Sequence, residues 1–197
     1  MLQVTKSEPS FFTQKKRTIS KVNESIAWNE IEDIRSQLRE YILKHEQENM
    51  CAYCEKKIDS SKEKSHIEHF KARNHFPELT LEYSNLFVSC NHHFHCGKKK
   101  DSSNLQKNDF NILISPLENN DEHFEYTFDG TIEGKTPNGR FTQKILNLNE
   151  ASLQEERKSI IRNIKSYLDF ELETLCECLS GHKNLIQYLI NNKELLQ

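Results

Sequence analysis

The chain has 197 residues, 35% of them hydrophobic and 29% charged, with a formal net charge of −3. That length suits one domain, or one domain with a small appended lobe, and no apolar run approaches the roughly 20 residues that a membrane-spanning helix needs. The opening MLQVTKSEPSFFTQKKR lacks the apolar core and small-residue site of a secretory signal, so a cytoplasmic protein with no membrane partner is expected.

Residues 1–22 show no period and read as extended or loosely ordered, an arm able to dock on something. From Trp28 to Glu48, Trp28, Ile31, Ile34, Leu38, Tyr41 and Ile42 recur at three- and four-residue steps, which predicts a helix with one apolar face and with Asn23 or Ser25 as its cap. Ser65 to Phe70 reads as a short strand, 71–84 as a loop holding Pro77, and the apolar Leu86 to Ser89 as a buried strand. A lysine-rich helix can begin after Cys96-Gly97. Phe124, Tyr126 and Phe128 alternate before Asp129-Gly130, a hairpin signal. Asn149 suits the cap of a long helix from about Glu150 to Leu179, with Leu153, Ile160, Ile161, Ile164, Tyr167, Leu168, Leu172 and Leu175 as its stripe and Gly181 as its stop. A last helix is expected from about Lys183 to Leu196.

The charge is unevenly spread. Lysines and arginines gather at 15–21, 56–73 and 98–100, and acids at 150–156 and 169–177. This permits a nucleic-acid-binding face, although any one cluster by itself is a solvated surface.

Cysteines concentrate in 49–107. Cys51 and Cys54 form a C-x2-C knuckle, whose turn points both sulfurs at one tetrahedral ion. Cys90 and Cys96 form a second, looser pair. Two pairs separated by 35 residues in a reducing compartment point to a structural zinc rather than to disulfides. His92, His93 or His95 could replace Cys90 or Cys96, but four sulfurs make the simpler closed site. Cys176 and Cys178 read as ordinary thiols of the long helix.

Between the cysteine pairs lie His66-Ile67-Glu68-His69-Phe70 and then Tyr83-Ser84-Asn85-Leu86-Phe87, and Cys96-Gly97-Lys98-Lys99-Lys100-Asp101 follows. A carboxylate beside a histidine, an Asn-Leu before a strand and a basic helix after a second cysteine pair resemble the HNH (ββα-metal) nucleases. That resemblance implies an α+β fold: a zinc-bound ββα-metal core among long helices, with a small extra hairpin. Four segments follow from it: an arm and helix (1–48), the nuclease core (49–115), a hairpin and connector (116–148) and a helical tail (149–197). It further implies His69 as general base, Glu68 as ligand of a catalytic divalent metal such as Mg2+, Asn85 as the residue holding the His69 ring, and Lys100 as a phosphate contact. His66 is structural or substrate-facing. Zinc-bearing members often carry an asparagine or histidine ligand directly after the last cysteine. Here that residue is Gly97, so Asp101, one turn onward, or His95 is expected to supply the ligand, with Asp101 preferred.

The resemblance extends outward through Glu46-Gln47-Glu48, Phe76-Pro77-Glu78-Leu79-Thr80, Ile114-Ser115-Pro116-Leu117 and Leu146-Asn147-Leu148-Asn149. Together these are similar to the PtuB-type HNH subunits of bacterial Septu and retron-associated anti-phage systems. Such a resemblance implies an endonuclease acting on nucleic acid and held in check by a PtuA-like ATPase, in some systems with a reverse transcriptase and its RNA–DNA hybrid. DNA is the default substrate. Cleavage of RNA such as tRNA, or a non-catalytic zinc subunit that binds nucleic acid, are the alternatives.

Overall fold

The computed structural model describes residues 1–19, 27–166, 181–192 and 194. It is an α+β protein whose described elements run α1 (Ser10–Thr18), α2 (Arg35–His45), β1 (Ser65–His69), β2 (Leu86–Cys90), α3 (Cys96–Asp101), β3 (Phe124–Tyr126), β4 (Ile132–Gly134), α4 (Pro137–Ile145), α5 (Ala151–Ser166) and α6 (Lys183–Asn191). Among the described residues no helix is long and apolar enough to cross a membrane.

The strands β1 and β2 pair antiparallel, with His69 opposite Leu86 and His66 opposite Ser89. Side chains alternate across a sheet, so Ile67, His69, Leu86 and Val88 face one way and His66, Glu68, Phe87 and Ser89 the other. Leu86 and Val88 pack on Ile31, Leu38, Ile42 and Leu43 of the α2 region, while Phe87 joins the larger core that holds the cysteines. Both faces of β2 are therefore covered: all five residues are buried, and Leu86-Phe87-Val88 is apolar without interruption. Its outer edge is also closed. The buried Gln47 amide accepts from the Val88 N–H at 2.8 Å and donates to the Val88 carbonyl at 2.8 Å, standing in for a third strand. β1 keeps an open edge.

Several expectations change on folding. Residues 1–19 are not a loose arm: Met1, Leu2 and Val4 are buried in the main core, the Leu2 and Val4 N–H groups donate to the Ala52 and Pro116 carbonyls, and Phe12 of α1 is fully buried. The segment carries too few apolar residues to show a period, but each one finds a slot. The stripe predicted over 28–48 packs inward, yet its first turns, Asn29–Ile34, are 3-10 helix, and Arg35 takes the Trp28 carbonyl. The caps proposed at Asn23 and Ser25 lie outside the described residues.

The 124–134 hairpin forms, with Gly130 at φ +80° in its turn and the Asp129 carboxylate accepting from the Thr131 N–H. The connector after it holds α4, which the sequence reading passed over. Its start is nevertheless encoded: Thr136 caps the Gly139 N–H, and Pro137 occupies the first turn. Asn149 does not cap α5. Its amide pairs both ways with the Ile132 backbone on β4, and the Glu150 carboxylate accepts from the Ser152 N–H instead. Leu153, Ile161 and Ile164 of α5 and Leu185, Ile186 and Leu189 of α6 are buried as the stripes predict. The continuation through Tyr167, Leu168, Leu172 and Leu175, with Cys176 and Cys178, lies outside the described residues, as does Leu196.

Candidate metal centres and active site

The knuckle forms because the chain doubles back between Met50 and Lys57, with Glu55 at φ +63°. This turn brings Cys51 and Cys54 beside Cys90, at the end of β2, and Cys96, at the start of α3. The four buried sulfurs lie within 4.8 Å of one another. Zinc–sulfur bonds of about 2.3 Å place tetrahedral sulfurs within this range, so the donor set could hold a metal and is consistent with zinc. Burial disfavours a thiolate, but hydrogen bonds from Cys54, Cys90 and Cys96 bring the Cys51 thiol well below its ordinary value. His95 does not replace a sulfur. Its Nδ1 lies 3.1 Å from Cys96 Sγ and 3.7 Å from Cys90 Sγ, at the border of the cluster. With His92 and Glu150 it forms a second group of three possible donors within 4.8 Å.

The knuckle is tied to the rest of the fold by a residue that the sequence reading did not single out. The Glu55 carboxylate, fully buried, accepts from Tyr126 on β3 at 3.0 Å and from the Asn184 N–H on α6 at 2.8 Å. A glutamate directly after a C-x2-C knuckle looks like surface, and only its long-range partners show otherwise.

A cleft of about 930 Å³ opens along the free edge of β1, lined by His66, Glu68, His69, Arg73, Lys98 and Asp101 among others. Because the cleft lies at an edge, side chains from both faces of the strand reach it. His69 is on the face toward α2, with Trp28 edge-on to its ring at 4.5 Å. Its Nε2 is 3.0 Å from the Thr80 carbonyl, which can only accept. The hydrogen of the neutral ring is therefore on Nε2, and Nδ1 keeps its lone pair. Burial lowers the imidazole to about 4, so the ring is neutral near pH 7.

Glu68 lies on the opposite face and is 2% exposed. Burial works against its charge, but Lys100 and His66 hold the carboxyl down at about 2. Tyr53 donates to its Oε1 at 3.2 Å, and the Lys100 ammonium pairs with the same oxygen. Oε2 is 3.2 Å from His66 Nε2.

Two expected roles change, those of Lys100 and Asn85. Lys100 is not a phosphate contact: it is 2% exposed, and besides Glu68 it donates to the His69 and Phe70 carbonyls at 2.5 and 2.9 Å. Asn85 does not touch the His69 ring. Its amide accepts from the Lys71 N–H at 2.7 Å and donates to the Lys71 and Leu79 carbonyls, clamping the backbone that leaves β1. Asp101 is on the cleft wall, with its side chain 53% exposed and 3.7 Å from Lys100 Nζ. Among the described residues it joins no group of three donors with Glu68. At Gly97, an added Cβ would come within 2.5 Å of Glu68 Oε2 and 3.0 Å of His66 Nε2, so the two side chains fill the space where a residue with a side chain would project.

No protein-family model matches the chain. It is 28% identical over 102 residues, 52% of its length, to the Septu protein PtuB of Bacillus thuringiensis. It is 33% identical over 129 residues, 60% of its length, to a Vibrio cholerae serotype O1 biovar El Tor protein named "Retron Vc95 putative HNH endonuclease". The matches span 37% of the first relative and 60% of the second. At this modest identity, the two relatives support an HNH, PtuB-type family for the chain.

Proposed function

We propose that the chain is a metal-dependent HNH endonuclease that hydrolyses phosphodiester bonds, with DNA as substrate, as the effector of an anti-phage defence system under the control of a PtuA-like ATPase. The observation that carries this reading is the His69 ring: neutral, edge-packed by Trp28, with Nε2 committed to the Thr80 carbonyl and Nδ1 left to take a proton, on the same cleft as the ionised Glu68. That is the arrangement a general base needs. Nothing about zinc storage or simple binding calls for it.

His69 Nδ1 takes the proton of the attacking water, and the Thr80 carbonyl stabilises the imidazolium that results. Glu68 supplies an oxygen ligand to a divalent ion, which when bound neutralises the developing charge on the phosphate. Lys100 holds the backbone at His69 and Phe70 and Asn85 holds it at Lys71, fixing the base relative to the strand. Arg73 and Lys98 line the cleft and are the cations placed to meet phosphate in the role expected of Lys100. A zinc held by the four cysteines would fasten the end of β2 to the start of α3.

The test is cleavage of plasmid and oligonucleotide DNA by the chain with its ATPase partner and Mg2+ or Mn2+, compared with His69→Ala. Loss of about 10²–10⁴-fold in rate, with folding and zinc content kept, is the expected outcome. Equal cutting by both proteins would refute the assignment. RNA ends appearing in place of DNA ends would keep the base and change the substrate.

A further inference from the structure

His66 and Glu68 are two residues apart on β1, so both face α3. Glu68 Oε2 and His66 Nε2 approach to 3.2 Å over the Cα of Gly97. Their neighbours fix the hydrogens between them. The Asn91 amide donates through Nδ2 to the Lys62 carbonyl at 2.6 Å, which turns its Oδ1 toward His66 Nδ1 at 2.8 Å. An amide oxygen only accepts, so the neutral His66 ring carries its hydrogen on Nδ1 and presents a lone pair at Nε2. Glu68 Oε2 presents another lone pair. Lys100 does not relieve the contact, because its three hydrogens already serve Glu68 Oε1 and the His69 and Phe70 carbonyls. A proton on His66 Nε2, or a metal ion against both atoms, resolves so close a contact, and a metal ion takes the place of that proton.

We propose that His66 Nε2 and Glu68 Oε2 are the protein ligands of the catalytic divalent cation, and that His66 takes the ligand position left without a side chain at Gly97. Asn91 then orients the imidazole through its far nitrogen, as the outer partner of a metal-bound histidine does. An imidazole and a carboxylate together suit Mn2+ and related first-row ions. His66 is a strand neighbour of Glu68, so the ligand pair comes from one element, and α3 contributes the missing Cβ at Gly97 and Lys100 against the other Glu68 oxygen. Cation binding requires only this pair; the ion's role at a phosphodiester rests on the nuclease reading above.

The experiment is titration of the zinc-loaded full chain with Mn2+, without nucleic acid, following free Mn2+ by electron paramagnetic resonance. His66→Ala should weaken Mn2+ binding at least about tenfold and leave the zinc content unchanged. His92→Ala, at the other histidine group, should bind as wild type. If His66→Ala loses zinc, His66→Gln takes its place and is expected to show the same weakening. Wild-type protein that binds no Mn2+ at millimolar concentration, or a His66 variant that binds it as tightly as wild type, overturns the ligand assignment. Mn2+ binding that depends on His66, in a protein that cuts no nucleic acid with its partner, would instead refute the nuclease reading and leave the site standing.

Discussion

Lys100 and Glu68 form an ion pair in the interior, their side chains 1% and 2% exposed, at the point where α3 crosses β1. Removing one member of such a pair leaves an uncompensated buried charge. Lys100→Ala is therefore expected to lower stability by about 3–5 kcal/mol. Lys100→Met with Glu68→Gln should recover part of that loss in a double-mutant cycle. Denaturant unfolding measures both. A Lys100→Ala protein as stable as wild type, but weaker on nucleic acid, would return this lysine to the surface role that its sequence position suggests. Arg73→Ala and Lys98→Ala, by contrast, should weaken nucleic-acid binding with a salt slope reduced by about one for each residue.

Asn85 acts on backbone rather than on the base. Asn85→Ala leaves the Lys71 N–H and two carbonyls without their partner and should cost about 1–3 kcal/mol. It should also lower the cleavage rate while leaving Mn2+ affinity near wild type, since neither His66 nor Glu68 touches it. Asn85→Asp does not rescue, because a carboxylate cannot donate to the Lys71 and Leu79 carbonyls. Full activity in Asn85→Asp would show that the clamp is dispensable.

Cys54→Ser removes a sulfur from the four-cysteine cluster. Zinc content, read by elemental analysis, should fall, and 49–107 should lose its cooperative unfolding, because a structural zinc contributes on the order of 10 kcal/mol to small metal-held folds. The β1–β2 hairpin, and with it the His69 and Glu68 placement, goes with it. A variant that keeps its structure with no bound zinc would sink this reading of the cluster.

The Glu156 carboxylate, on α5, meets Lys56 at 2.9 Å and His182 at 3.3 Å. Burial opposes its charge, but these two partners hold it at about 2, below the ordinary glutamate value. A depressed carboxyl contributes stability that is complete above its unfolded value of about 4.5 and is lost as pH falls toward 2. The side chain is 30% exposed, so the contribution is discounted to about 1 kcal/mol. Thermal midpoints of wild type and Glu156→Gln should differ above pH 5 and converge near pH 2. A gap that does not change with pH would place the effect in packing rather than in charge.

The sequence alone determined what depends on local spacing. A two-residue gap between cysteines makes a knuckle wherever it stands, an apolar run bounded by turn residues makes a buried strand, and Glu68 beside His69 puts the two on opposite faces of β1 because strand side chains alternate. The cysteine cluster, the two strands, the hairpin at 124–134 and the stripes of α2, α5 and α6 were all legible for that reason. The tertiary structure decided which polar groups meet, since that depends on segments far apart in the chain closing on one another. Lys100 points inward because α3 lies over Glu68, Asn85 holds Lys71 because 71–84 folds back on β1, and Asn149 serves β4 instead of its own helix. Gly97 looks like a missing ligand in one dimension. In three it is the clearance that lets His66 and Glu68 converge.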